Sequence, residues 1–125
     1  MTNEQLIKQA KTAMLNAYVP YSHFQVGAAL LTESGKVYTG CNIENASYGA
    51  TICAERTAIA KAISEGEKSF LKLAVVSSSE DLTYPCGICR QVIAEFMPEG
   101  TIVFEGKDKI VELSLAQLLP YRFEL

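Results

Sequence analysis

The 125-residue sequence contains no apolar run approaching the roughly 20 residues that a helix needs to span a membrane. Its first residues, Met1-Thr2-Asn3-Glu4-Gln5, lack the basic flank and apolar stretch of a secretory signal. Positive charge is not in excess: the formal net charge is −3, which argues against an affinity built on phosphate contacts over a basic surface. No linker, internal repeat or low-complexity stretch interrupts the chain. Histidine is nearly absent, and the single one, His23, falls in a turn after Tyr21-Ser22, where a surface side chain is expected. What is present is ordinary for a globule, with 49% hydrophobic and 20% charged residues. The expectation is a cytoplasmic protein with no membrane or nucleic-acid partner, folded as a single domain over residues 1–125.

In a reducing compartment, the four cysteines are expected as metal ligands, catalytic groups or buried thiols rather than disulfides. Their setting follows from a pass along the chain. Leu6, Ile7, Ala10, Met14 and Leu15 recur at helical spacing, predicting a helix from about Asn3 to Ala17, capped by Thr2 or Asn3 and stopped by Val19-Pro20. Residues 24–31 and 36–43 read as a β-hairpin around Glu33-Ser34-Gly35. After a loop over 44–52, a helix over 53–64 ends at Gly66. Residues 71–76 read as a strand buried on both faces, and a third helix runs over 86–97. Strands over 101–104 and 110–113 follow, and Ser114 caps a last helical turn or two through Leu119. The order α-β-β-α-β-α-β-β-α predicts a three-layer α/β/α fold with a mixed sheet of about five strands.

On this reading Cys53 opens one helix, and Cys86 and Cys89 open another. Helix starts carry positive partial charge, which favours thiolates. Three thiolates hold Zn²⁺ and leave its fourth tetrahedral position open, the mark of a catalytic rather than a structural site. Glu55, two residues after Cys53, stands beside the metal as a candidate proton carrier. A Cys or His ligand, a non-ligand Glu and a Cys-x-x-Cys together form the signature of zinc deaminases, which attack an aromatic C–NH₂ carbon such as C4 of cytosine. Water on such a zinc has its pKa lowered toward neutrality and becomes a hydroxide nucleophile. Glu55 then takes its proton, passes it to a ring nitrogen and later protonates the departing amine. Three thiolates leave the site at net −1, so a cation is expected close by. Arg56 and Arg90 are both candidates to donate to the sulfurs, with Arg56 slightly favoured. Duller readings stand beside these. Cys86-x-x-Cys89 is also the form of a redox pair, and Cys41 completes a possible Cys₄ structural zinc. The better expectation for Cys41, which lies inside an apparent strand, is a buried free thiol.

Four segments then carry a family resemblance. Residues 21–30 (Tyr21-Ser22-His23-Phe24 through Leu30), residues 40–48 (Gly40-Cys41-Asn42-Ile43-Glu44 through Tyr48), Cys53-Ala54-Glu55-Arg56 and Pro85-Cys86-Gly87-Ile88-Cys89-Arg90-Gln91 resemble, in order, the cytidine deaminases. The likeness is to the small homotetrameric class with three cysteines, not to the larger dimeric class that uses a histidine. It implies hydrolysis of cytidine and 2′-deoxycytidine to uridine and 2′-deoxyuridine with release of ammonia, in pyrimidine salvage, with one zinc per subunit. It implies that Asn42 and Glu44 bind ribose hydroxyls, that Phe24 stacks on the pyrimidine and that the Ala54 backbone contacts the base. It implies that Tyr48 reaches across a subunit interface and that Phe123 closes over the substrate of a neighbour. The carboxylate of Glu44 near the sugar favours a nucleoside over a nucleotide. Rival readings are a blasticidin-type aminopyrimidine deaminase, disfavoured by the intact Asn42-Ile43-Glu44-Asn45, and a nucleic-acid editor, which wants a basic channel. A Cys₄ zinc interaction module is the rival from another class.

Overall fold

The computed structural model describes residues 1–125 and contains four α-helices and five strands in the expected order. Helix α1 spans Asn3–Met14, and Thr2 closes it with a capping box shared with Gln5. It stops three residues short of the expected Ala17, for a tertiary reason. Tyr18 leaves the helix to pair with the segment after the hairpin, its N–H reaching Asn42 O at 3.0 Å while its carbonyl accepts from Glu44 N at 2.8 Å.

Strands β1 (Val26–Thr32) and β2 (Val37–Cys41) form the hairpin, with Gly35 at φ 88° in its turn. Helix α2 (Ala54–Ser64) ends in a Schellman motif at Gly66, where Gly66 N bonds Ile63 O and Glu67 N bonds Ala62 O, both at 3.0 Å. Strand β3 (Phe70–Ser77) is buried from Leu73 to Val76, but Leu71 is exposed, so burial on both faces holds only for its C-terminal half. Helix α3 (Gly87–Phe96), strands β4 (Thr101–Gly106) and β5 (Lys109–Ser114), and the short α4 (Leu115–Leu118) complete the chain.

The sheet order is β2-β1-β3-β4-β5, antiparallel except for the parallel β3–β4 pair. The α3 crossover supplies that parallel pair, as parallel strands require. Alternation along the strands divides the core in two. Ala29, Ala74, Val76 and Val103 pack against Leu6, Ile7 and Ala10 of α1. Ala28, Leu30, Leu73, Val75, Ile102 and Phe104 pack against α2, α3 and α4 on the other face. The result is a three-layer α/β/α arrangement with a five-stranded mixed sheet.

Two strand glycines set how closely helices approach this sheet. A Cβ on Gly27 would lie 2.1 Å from Ala10 O of α1, and one on Gly40 would lie 2.6 Å from both Ala54 O and Ala58 N of α2. The Gly40 contact seats the first turn of α2, and with it the metal-ligand end, directly on β2.

Candidate active site

Cys53 is the N-cap of α2 and Cys86 the N-cap of α3, while Cys89 lies fully buried in the first turn of α3. Neither cap residue bonds its helix through its side chain, so both sulfurs are free to turn toward one another. The three sulfurs lie within 4.8 Å of one another, and those of Cys53 and Cys86 are 3.8 Å apart. Zinc–sulfur bonds of about 2.3 Å at tetrahedral angles separate two sulfurs by roughly 3.8 Å, so the donor set fits zinc. Cys41 stands outside it. Gly40 faces α2, and alternation turns its neighbour Cys41 to the α1 face of the sheet. A closed four-cysteine site is therefore not built.

The electrostatics match three donors with one proton carrier candidate among them. Cys53 is pulled down to about 5, first by the thiol hydrogen bond from Cys89 and then by Arg56 and Cys86 against opposing burial. Cys89 is pushed up, because its bond to the Cys53 sulfur and its burial favour the protonated form. A metal that takes all three as thiolates displaces those protons. Glu55 is only 4% exposed, and burial raises its carboxyl to about 7, with the Cys53 thiolate adding to the effect. Arg56 opposes that rise only in part.

The two arginines have separate surroundings. Arg56 donates from Nη2 to the Cys53 sulfur at 3.6 Å and to Thr51 O at 3.4 Å, and its buried Nε has no partner. Arg90 donates from Nε to Pro85 O at 2.8 Å and from Nη1 to Leu118 O at 2.7 Å. The hydrogen bond to a ligand sulfur thus belongs to Arg56, while Arg90 is engaged by backbone.

A rim of loops lies beside this end of the sheet. Ile43 pairs with Ile52 through reciprocal backbone bonds of 2.9 and 3.0 Å, which ties the Asn42-Ile43-Glu44 segment to the approach to Cys53. Asn42 and Glu44 flank Ile43 and turn the same way, toward residues 21–26. The Asn42 amide accepts from Val26 N and donates to Phe24 O, both at 2.8 Å. Glu44 accepts from Tyr21 N at 3.0 Å, Ser22 N at 3.1 Å and the Ser22 hydroxyl. These donors, led by the Ser22 hydroxyl, hold the carboxyl of Glu44 below its ordinary value. Ser22 Oγ also accepts from Phe24 N at 3.0 Å across His23, an exposed residue in the left-handed region at φ 59°. Sequence reasoning missed Ser22. The signal available was a serine two residues before Phe24 in a proline-containing turn, the setting of a side-chain-capped turn. Phe24 is 38% exposed, and Tyr48 is 77% exposed with its ring against Tyr21. Ala54 is fully buried, and Phe123 is exposed in the C-terminal strap.

Three thiol donors at two helix starts, a buried carboxyl between them and an open rim of hydrogen-bonding groups define a zinc-dependent hydrolytic enzyme acting on a small polar molecule. The chain belongs to the cytidine and deoxycytidylate deaminase family, whose zinc-binding region matches residues 1–105. It is 54% identical to the cytidine deaminase of Sporosarcina psychrophila over 98% of this chain and 92% of that protein. It is 52% identical to that of Halalkalibacterium halodurans, over 98% of this chain and 95% of the relative. Among solved structures, the cytidine deaminase from Burkholderia pseudomallei superposes with a TM-score of 0.94 at 46% identity, covering 98% of this chain and all of that one. A blasticidin-S deaminase of Bacillus cereus is more distant, 29% identical over 95% of this chain and 90% of that protein.

Proposed function

We propose that this chain hydrolyses cytidine and 2′-deoxycytidine to uridine and 2′-deoxyuridine with release of ammonia. The observation that carries the reading is the burial of Glu55 beside three sulfurs spaced for zinc. Cys53, Cys86 and Cys89 hold the metal, which when bound supplies Lewis-acid activation of water. Glu55, its carboxyl poised near neutrality, accepts a proton from the attacking water and delivers it to the ring nitrogen N3. It then takes the proton of the hydroxyl added at C4 and carries it to the amine, which leaves as ammonia as the C4 carbonyl forms. Arg56 withdraws charge from Cys53 and offsets the excess of three thiolates.

The rim supplies orientation. Three of about four acceptor positions on the Glu44 carboxylate are occupied by Tyr21 and Ser22, which leaves one for a sugar hydroxyl. Asn42 retains one N–H and one lone pair for the same purpose. Because Glu44 is held in its charged form, a phosphate on the sugar would be repelled, which favours nucleosides. Phe24 offers a ring face to the pyrimidine, and the backbone of Ala54 contacts the base. Tyr48 and Phe123, both strongly exposed in the isolated chain, are proposed to act across interfaces of a homotetramer. The chain is read as one deaminase domain working in cytoplasmic pyrimidine salvage, and no helix in it is long and apolar enough to cross a membrane.

Loss of ultraviolet absorbance as the zinc-replete protein converts cytidine to uridine is the decisive assay. Turnover of cytidine and not of its 5′-phosphate is expected. A folded protein with one zinc per chain and no turnover would move the assignment to another aminopyrimidine.

A further inference from the structure

Immediately after the ligand Cys89, two consecutive side chains reach into the C-terminal strap. Arg90 donates to Leu118 O at the end of α4, and Gln91 Nε2 donates to Phe123 O at 3.1 Å. Between those anchors lies Tyr121, a non-glycine residue in the left-handed region at φ 54°. Such a conformation persists only where its surroundings hold it. The other arm of Arg90 bonds Pro85 O, the carbonyl just before the ligand Cys86. Pro85 and Leu118 are both buried, and the half-buried guanidinium forms no carboxylate ion pair. Its two bonds to carbonyls are therefore its principal engagements. One planar fork links the turn that presents Cys86 to the helix that launches the strap.

We propose that Arg90 is a positioning residue that makes the C-terminal strap part of the metal centre. It acts through its forked geometry rather than through its charge, with Gln91 as the second anchor. The ligand turn and the strap then stabilise each other, so zinc occupancy and strap order rise and fall together, as linkage requires. A lysine keeps the charge but offers a point donor that cannot replace a fork.

The test compares Arg90→Lys with Arg90→Met and Gln91→Leu, all zinc-loaded. Zinc release to a colorimetric chelator is followed beside KM and kcat for cytidine. Arg90→Lys is expected to release zinc about tenfold faster, the usual scale for groups that orient metal ligands. KM should rise while kcat changes less. Gln91→Leu, which frees the strap at its second anchor, should raise KM and, by the same linkage, speed zinc release by less than Arg90→Lys does. If Arg90→Lys matches the wild type in both readouts while Arg90→Met does not, the residue acts by charge and the proposal fails. It fails too if neither substitution moves zinc release. The KM arm rests on the proposed role of Phe123, so Phe123→Ala is measured alongside. If that variant leaves KM unchanged, the lid reading is lost, while zinc release still judges Arg90. Should the Arg90 variants not fold, the wild-type protein decides. Carboxypeptidase is expected to trim Leu125 to Phe123 faster after zinc is removed, and equal trimming with and without zinc overturns the coupling.

Discussion

At the metal end Cys89 is fully buried and Glu55 only 4% exposed, with Cys53 half-buried and Cys86 exposed at the mouth of the site. At the rim, by contrast, Phe24 is 38% and Tyr48 77% exposed. The metal end is assembled from two helix starts pressed onto the sheet, and its low dielectric is what lifts Glu55 to about 7. The rim is assembled from loops whose polar side chains bond backbone, as Asn42 does with Phe24 and Val26. Proton transfer benefits from a dry, preformed site, because fixed groups there need no reorganisation during reaction. Recognition can be left open, since the arriving substrate or a neighbouring chain completes the burial.

Substitution can break this contrast in graded steps. Glu55→Gln keeps shape and burial but removes the titrating group. Activity should fall roughly 10²–10⁴-fold while zinc content by atomic absorption is unchanged. Next is Gly40→Ala, whose methyl would collide with Ala54 O and Ala58 N. Overpacking of that kind costs about 1–3 kcal/mol, read as a lower denaturant midpoint, and should loosen zinc as the start of α2 is pushed outward. Asn42→Ala strikes the rim instead, leaving Val26 N–H and Phe24 C=O without their partner. A stability loss of about 1–3 kcal/mol is expected, with KM raised more than kcat is lowered. The smallest effect belongs to Cys41→Ser, which lies on the other face of the sheet. Zinc content and turnover should match the wild type, and loss of zinc would contradict a centre of three cysteines.

Much of this was legible before any coordinates. The period of 3.6 in α1, the glycine stops at Gly35 and Gly66 and the serine cap at Ser114 are local signals, and each marks the element it predicts. The candidate ligands were legible for the same reason, because Cys53 and Cys86 sit at helix starts that composition alone announces. What was not legible depended on partners distant in sequence. The early end of α1 reflects the pairing of Tyr18 with Asn42 and Glu44. The close approaches at Gly27 and Gly40 show only when helices are laid on the sheet.

The two arginines mark the boundary most clearly. Each follows a chemically important residue, Glu55 or Cys89, and residue type alone made both candidates to quench the thiolates. Residue type and local patterning settle which groups are available: three soft donors, one carboxyl and two guanidinium forks, placed at helix starts by periodicity. Long-range packing settles which fork meets sulfur and which meets backbone alone, and which of the four cysteines is turned away. The reason is physical. Donor chemistry and helix starts are short-range properties of the chain, whereas direction and burial are set by sheet alternation and helix packing across tens of residues.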